Sequence, residues 1–160
     1  MTQAPTPLET THGYCAPRVT QFSVFLANKV GKLADLVEGF EGSTVNICAL
    51  SVHEASDHAV VRIITSSAGE AAKVLIASDL PYTTLDVLVV ELSGGHTLAS
   101  MCLHLLAAEL SIHFAYPLMM RQNAPAIALA VDDMTLAGQI LRRKEFRMLG
   151  EADLPKRPGG

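Results

Sequence analysis

Residues 22–33 read Phe22-Ser23-Val24-Phe25-Leu26-Ala27-Asn28-Lys29-Val30-Gly31-Lys32-Leu33, and residues 87–98 read Val87-Leu88-Val89-Val90-Glu91-Leu92-Ser93-Gly94-Gly95-His96-Thr97-Leu98. Each is an apolar extended run that breaks at a polar, glycine-bearing turn and reopens on a leucine. The two stretches are 65 positions apart, and the same shift lays residues 22–80 over 87–145 without a gap. Val24 then falls on Val89, Leu33 on Leu98, Ala34 on Ala99, Ile47 on Ile112 and Ala72 on Ala137. Leu36 meets Met101, Val45 meets Leu110, Leu75 meets Ile140 and Ile76 meets Leu141. A register that survives several loops marks one supersecondary unit used twice. A duplicated small module makes symmetric pockets more readily than a single asymmetric active centre.

Within the first unit, residues 19–27 alternate as a strand, with Phe22, Val24 and Leu26 on one face. Residues 28–32 form a turn. Leu33, Leu36, Val37 and Phe40 then recur at helical spacing, and Gly42 stops that helix. Residues 44–53 and 59–65 read as strands joined by a polar turn at Ala55-Ser56-Asp57. Ser67 with Glu70 three residues on has the form of a capping box for a helix to about Ser78. Residues 82–92 are one long extended run. Two short strands with a kink near Asp86, or one strand serving both units, satisfy it equally.

The second unit repeats the scheme. Gly94-Gly95-His96 is the turn, and Leu98, Met101, Cys102 and Leu105 make the helix stripe. Residues 110–119 and 126–131 are strands around a Gln122-Asn123 turn. Asp132 or Asp133 caps a helix to about Arg143, and residues 146–149 close the unit. The expected class is therefore α+β: two ferredoxin-like βαββαβ units with antiparallel sheets and helices on one face. The boundaries expected are 1–17 for a flexible N-terminal tail, 18–84 and 85–154 for the units, and 155–160 for a C-terminal tail. Two helices cannot hide Ala49, Phe25, Leu50 and Arg62 together. Two units, or two chains, must share surface, which predicts a homodimer or larger assembly.

Composition narrows the function classes. The 160 residues are 49% hydrophobic and 18% charged, a globular balance. The net charge of −4 and the thin spread of Lys and Arg give no footprint for nucleic acid. The one basic knot, Arg142-Arg143-Lys144, suits the last turn of a helix. Three cysteines, Cys15, Cys48 and Cys102, lack any C-x-x-C spacing and fit free thiols in a cytoplasmic protein. No apolar run reaches the length of a membrane span, and Met1-Thr2-Gln3-Ala4-Pro5 has neither a basic start nor an apolar run. No hydrolase, phosphate-loop, zincin or dinucleotide motif occurs.

The turn after the first strand is where chemistry gathers. A helix N-terminus there offers backbone N–H groups and the positive end of the macrodipole to an anion. Gly31 lets a ligand approach the backbone, and Asn28 offers both a donor and an acceptor. A zwitterion needs an anion cradle and acceptors for its ammonium. The plain alternative is a strand–helix turn in which Gly31 only relieves strain.

With residues 22–33 followed by Val45-Asn46-Ile47-Cys48-Ala49-Leu50, the chain resembles an ACT domain. That family has an Asp/Asn-x-x-Gly-x-Leu turn after its first strand and an Asn-Ile pair opening the second. The resemblance covers residues 18–150 and is closest to small stand-alone tandem proteins of that kind, some of which resemble the regulatory subunit of acetolactate synthase. It implies binding of an amino acid or similar effector at Asn28, Lys29, Val30, Gly31, Lys32 and Leu33, faced by Asn46, Ile47 and Cys48. In the second unit it implies Gly94, Gly95, His96 and Thr97, faced by Ser111, Ile112 and His113. There His96 stands in the place of Gly31, which favours the first site.

Other constellations are weaker. Cys48, His53 and His58 could suit a metal, but an odd spacing on one strand sends Cys48 and His53 to opposite faces. Asp35, Glu38 and Glu41 read as the wet side of a helix. Met101, Met119 and Met120 read as core or an adaptable interface. No catalytic residue, metal or cofactor is expected. The reading is an effector-binding regulatory protein acting in trans on a partner enzyme or pathway. The alternatives are a ligand-free interaction dimer, a small ferredoxin-like enzyme or a metal sensor.

Overall fold

The computed structural model describes residues 14–27, 29–119 and 124–157. The element order is β1 (Val19–Ala27), α1 (Lys32–Glu41), β2 (Ile47–Glu54), β3 (His58–Thr65), α2 (Ala68–Ala77) and β4 (Tyr82–Glu91). It continues with α3 (Leu98–Ala107), β5 (Ile112–Pro117), β6 (Ala126–Val131), α4 (Met134–Arg143), β7 (Arg147–Leu149) and a 3-10 turn at Glu151–Asp153. The expected α+β class and the βαββαβ order hold in both halves. The expected Gln122-Asn123 turn lies outside the described residues.

All strand pairings are antiparallel, in the order β2-β3-β1-β4-β6-β5, with β7 on β4. The long extended run is one strand. Its first half, from Tyr82 to Val87, pairs with β1 and closes the first unit. Its second half pairs Leu88 with Leu129 of β6 and Val89 with Leu149 of β7, and so opens the second unit. No helix among the described residues is long and apolar enough to cross a membrane.

Strand alternation sorts the side chains into three cores. Phe22, Val24, Leu26, Val61 and Ile63 face Leu36, Phe40 and Leu75 of α1 and α2. Leu88, Val90 and Leu129 face Met101, Leu105 and Leu141 of α3 and α4. Truncating a buried Phe22 or Phe40 to alanine costs about 3–5 kcal/mol. The third core lies between the two helix-free faces. Val19, Ala49, Ile64 and Val87 of the first unit pack there against Tyr116, Leu118, Ala128 and Leu149 of the second.

This stacking answers the problem of the uncovered face from within one chain. Ala49 is buried between the sheets, Leu50 turns to the helix side, and Arg62 stacks its guanidinium 4.0 Å over the ring of Phe114. Phe25 and Leu85 stay exposed where the offset of the units leaves the face bare. The case for a dimer drawn from a bare face thus loses its main premise.

Local expectations meet mixed outcomes. Ser67 accepts from the Glu70 N–H at 3.4 Å, but the Glu70 carboxylate turns to Lys73, so only half of the capping box forms. Asp133 caps α4, and Asp132 instead accepts from the Ser111 N–H. Gly42 ends α1 in the right-handed region, so a left-handed glycine is not what stops it. The described residues nearest each end of the chain, 14–16 and 151–157, pack on the two units. Ala16 packs against Gly138, and Arg142 lies over the Tyr14 ring. Leu154 is buried between the sheets, and the Glu151 carboxylate accepts from the Ala68 N–H at the start of α2. Arg157 donates to Phe40 O, Ser43 O and the Glu41 carboxylate.

Candidate effector site

β1 delivers the chain to a tight turn in which the Lys29 N–H bonds the Ala27 carbonyl at 2.8 Å. Gly31 follows at φ 88°, in the left-handed region that glycine enters freely. A Cβ built there meets nothing within 4 Å, so backbone conformation, not space, demands glycine. Gly31 is also the N-cap of α1, and having no side chain it offers none to the first-turn amides. Ser67, Thr97 and Asp133 supply that cap on the other three helices. The α1 start therefore keeps its positive end open toward solvent.

Beside it is a hollow of about 270 Å³ lined by Leu26, Ala27, Lys29, Lys32, Leu33, Val52, Glu54, Ala59 and Val61. β2 runs in the same direction as β1, because both are antiparallel to β3. The far end of β2 and the beginning of β3 thus reach the turn and complete the hollow. It combines two cations, one carboxylate and an apolar lining, in a volume suited to a ligand of amino-acid size.

Of the residues expected for the first site, Lys29, Lys32 and Leu33 line this hollow, and Gly31 sits between them in the chain. Val30 is not among the lining residues and is fully exposed at 107%. Asn28 lies outside the described residues. Asn46, Ile47 and Cys48 are not brought to the turn within this chain. Ile47 and Cys48 begin β2 and Asn46 immediately precedes it, at the opposite end of the strand. Asn46 donates from Nδ2 to the Pro155 carbonyl at 2.9 Å. Cys48 is buried between the sheets, and burial pushes its thiol up to about 11. Ile47 packs on the helix side. Val52, Glu54, Ala59 and Val61 are what the sequence reading missed. The signal available was the parallel course of β1 and β2, which the βαββαβ order already fixes.

The second loop is built differently. Gly94 and Gly95 have φ of 61° and 88°. Thr97 and Ser100 form a complete capping box over the α3 start. His96 places Nδ1 2.9 Å from Ser93 O and Nε2 2.8 Å from Lys144 O, and its ring stacks 3.9 Å from that of Phe146. Its amides capped and its histidine tied to the end of α4, this loop is closed. Ser111 is engaged with Asp132, while Ile112 and His113 are exposed on β5.

Two ferredoxin-like units that share a strand and stack their open faces define a paired small-domain module. The chain belongs to the ACT domain pair family, whose model matches residues 18–157. Among solved structures, it is similar to a protein of Bacteroides thetaiotaomicron at 25% identity and a TM-score of 0.77, covering 86% of this chain and 96% of that one. It is also similar to the ligand-free regulatory subunit of aspartate kinase from Thermus thermophilus. That likeness, at 12% identity and a TM-score of 0.55, covers 81% of this chain and 92% of that one, and speaks to the fold alone. The comparison with curated proteins returns no match. The fold is that of an ACT domain pair.

Proposed function

We propose that this protein binds a small effector, an amino acid, in the hollow beside residues 29–33, and regulates a partner enzyme or pathway in trans. In this reading the ligand carboxylate lies toward the uncapped α1 start between Lys29 and Lys32. Its ammonium faces Glu54, and its side chain rests on Leu26, Leu33, Val52 and Val61. The observation that carries the reading is this pairing of opposite charges across an apolar lining, at the one α-helix start among the described residues that no side chain caps. The protein acts as a non-catalytic cytoplasmic homodimer, with no resident metal or cofactor.

A thermal-shift screen of the twenty amino acids tests this. A ligand at one hundred times its Kd adds about 2.7 kcal/mol to the native state. At least one amino acid is expected to raise the melting temperature in the wild type and to fail in Lys32→Glu. No shift with any amino acid, or a shift that survives Lys32→Glu, overturns the assignment of this site.

A further inference from the structure

We infer that the outer face of α3 is the surface on which a second copy of this chain docks, antiparallel, about a two-fold axis near Cys102 and Leu103. This deepens the proposed self-association and rests on it. α3 has no Asp, Glu, Lys or Arg in its ten residues. Met101 and Leu105 already fill the core beneath it. Yet Leu98, Ala99, Cys102, Leu103, Leu106 and Ala107 all face solvent, with Leu98, Leu103 and Leu106 at 51%, 62% and 69% exposure. Apart from Ser100 and His104 the helix is apolar on every side, and such a helix belongs in a buried setting. Its counterpart in the first unit, α1, carries Lys32, Asp35, Glu38 and Glu41. The duplicated scaffold is thus apolar outward on one copy only.

Charge selects the occupant. α3 and α4 run antiparallel, because His96 before α3 meets Lys144 at the end of α4, and Ser111 after α3 meets Asp132 at the start of α4. One end of the α3 face is therefore flanked by Arg142, Arg143 and Lys144, with Glu145 the opposing charge. The other is flanked by Glu109, Asp132 and Asp133, with Arg18 bonded to Thr135 nearby. A copy turned end for end sets the basic flank of each chain over the acidic flank of the other, and lays apolar face on apolar face. That is the self-complementarity an isologous interface requires. The helix is only about 15 Å long, short of the about 800 Å² per partner of a standard interface. The flanks of α4, which runs antiparallel beside α3, enlarge the face.

Sedimentation equilibrium of the full chain at micromolar concentration tests the surface. The wild type is expected to be a dimer. Leu103→Glu is expected to weaken it by at least about tenfold, a hot-spot-sized loss, with the same circular dichroism and melting temperature as wild-type monomer. Arg143→Glu and Glu109→Lys are each expected to weaken the dimer, and the two together to restore it, which only a second copy of the same chain explains. A dimer untouched by Leu103→Glu overturns this surface while leaving self-association standing. A wild-type monomer throughout overturns both. Effector binding, read separately by thermal shift, is unaffected by either result.

Discussion

Tyr116 of β5 donates its phenolic hydroxyl to Oε1 of Gln21 on β1 at 2.6 Å, a buried hydrogen bond between the two units. Gln21 is 1% exposed and donates in turn to Ser23. The bond fixes one sheet on the other inside an otherwise apolar contact, where an unpaired amide is costly.

Tyr116→Phe is therefore expected to lower stability by about 1–3 kcal/mol, because the Gln21 carbonyl is left buried without a donor. Adding Gln21→Leu should recover part of that loss. Urea melts of the two single variants and the double variant give the coupling, and strictly additive losses would mean that the bond contributes nothing of its own.

Gly31→Val is expected to weaken effector binding beyond its cost to folding. A β-branched residue at φ 88° is strained by about 1–3 kcal/mol, and relieving that strain moves the Lys29–Lys32 turn. Calorimetric titration beside denaturant melts separates the two effects. Undiminished affinity in a folded variant would place the site elsewhere.

His96→Gly is expected to leave the binding stoichiometry unchanged and to loosen the second loop. It removes two hydrogen bonds to carbonyls and a ring stack on Phe146, while the Thr97 capping box stays in place over the helix start. Hydrogen exchange at residues 93–97 should rise. Appearance of a second effector site per chain would show that the imidazole alone had closed it.

Stability is expected to fall as pH rises from 9 toward 11. The Cys48 thiol is held neutral by burial, up from 9.0 to about 11, and the folded state therefore keeps a proton that the unfolded chain gives up. The contribution is fully present below 9 and is lost as pH passes through 11. Burial raises the Tyr116 hydroxyl as well, which acts in the same sense at higher pH. Thermal melts across this range in wild type and Cys48→Ala should show a shallower slope in the variant. Thiol reagents should modify the exposed Cys15 before Cys48.

The alternation of residues 19–27, the leucine stripes and the 65-residue register sufficed to read element order and fold class, because local periodicity dictates both. The turn at Lys29–Leu33 was legible for the same reason: glycine and a helix start are local signals. Val52, Glu54, Ala59 and Val61 were not read as its partners, since they are distant in the chain and reach it only through the common direction of β1 and β2 on either side of β3. Whether the open faces share surface within one chain or between two stayed open as well. Val19, Ala49 and Tyr116 carry no mark telling a partner in the same chain from one in another. The hold of Arg157 on the end of α1 is a contact across 117 positions, beyond any local pattern.

The strand from Tyr82 to Glu91 belongs to both halves, and that leaves the chain with no seam. Two domains joined by a linker can be separated, shuffled or lost one at a time. Here a cut between Val87 and Leu88 would strip the first unit of an edge and the second of its centre. Descendants of this doubled chain inherit both halves or neither.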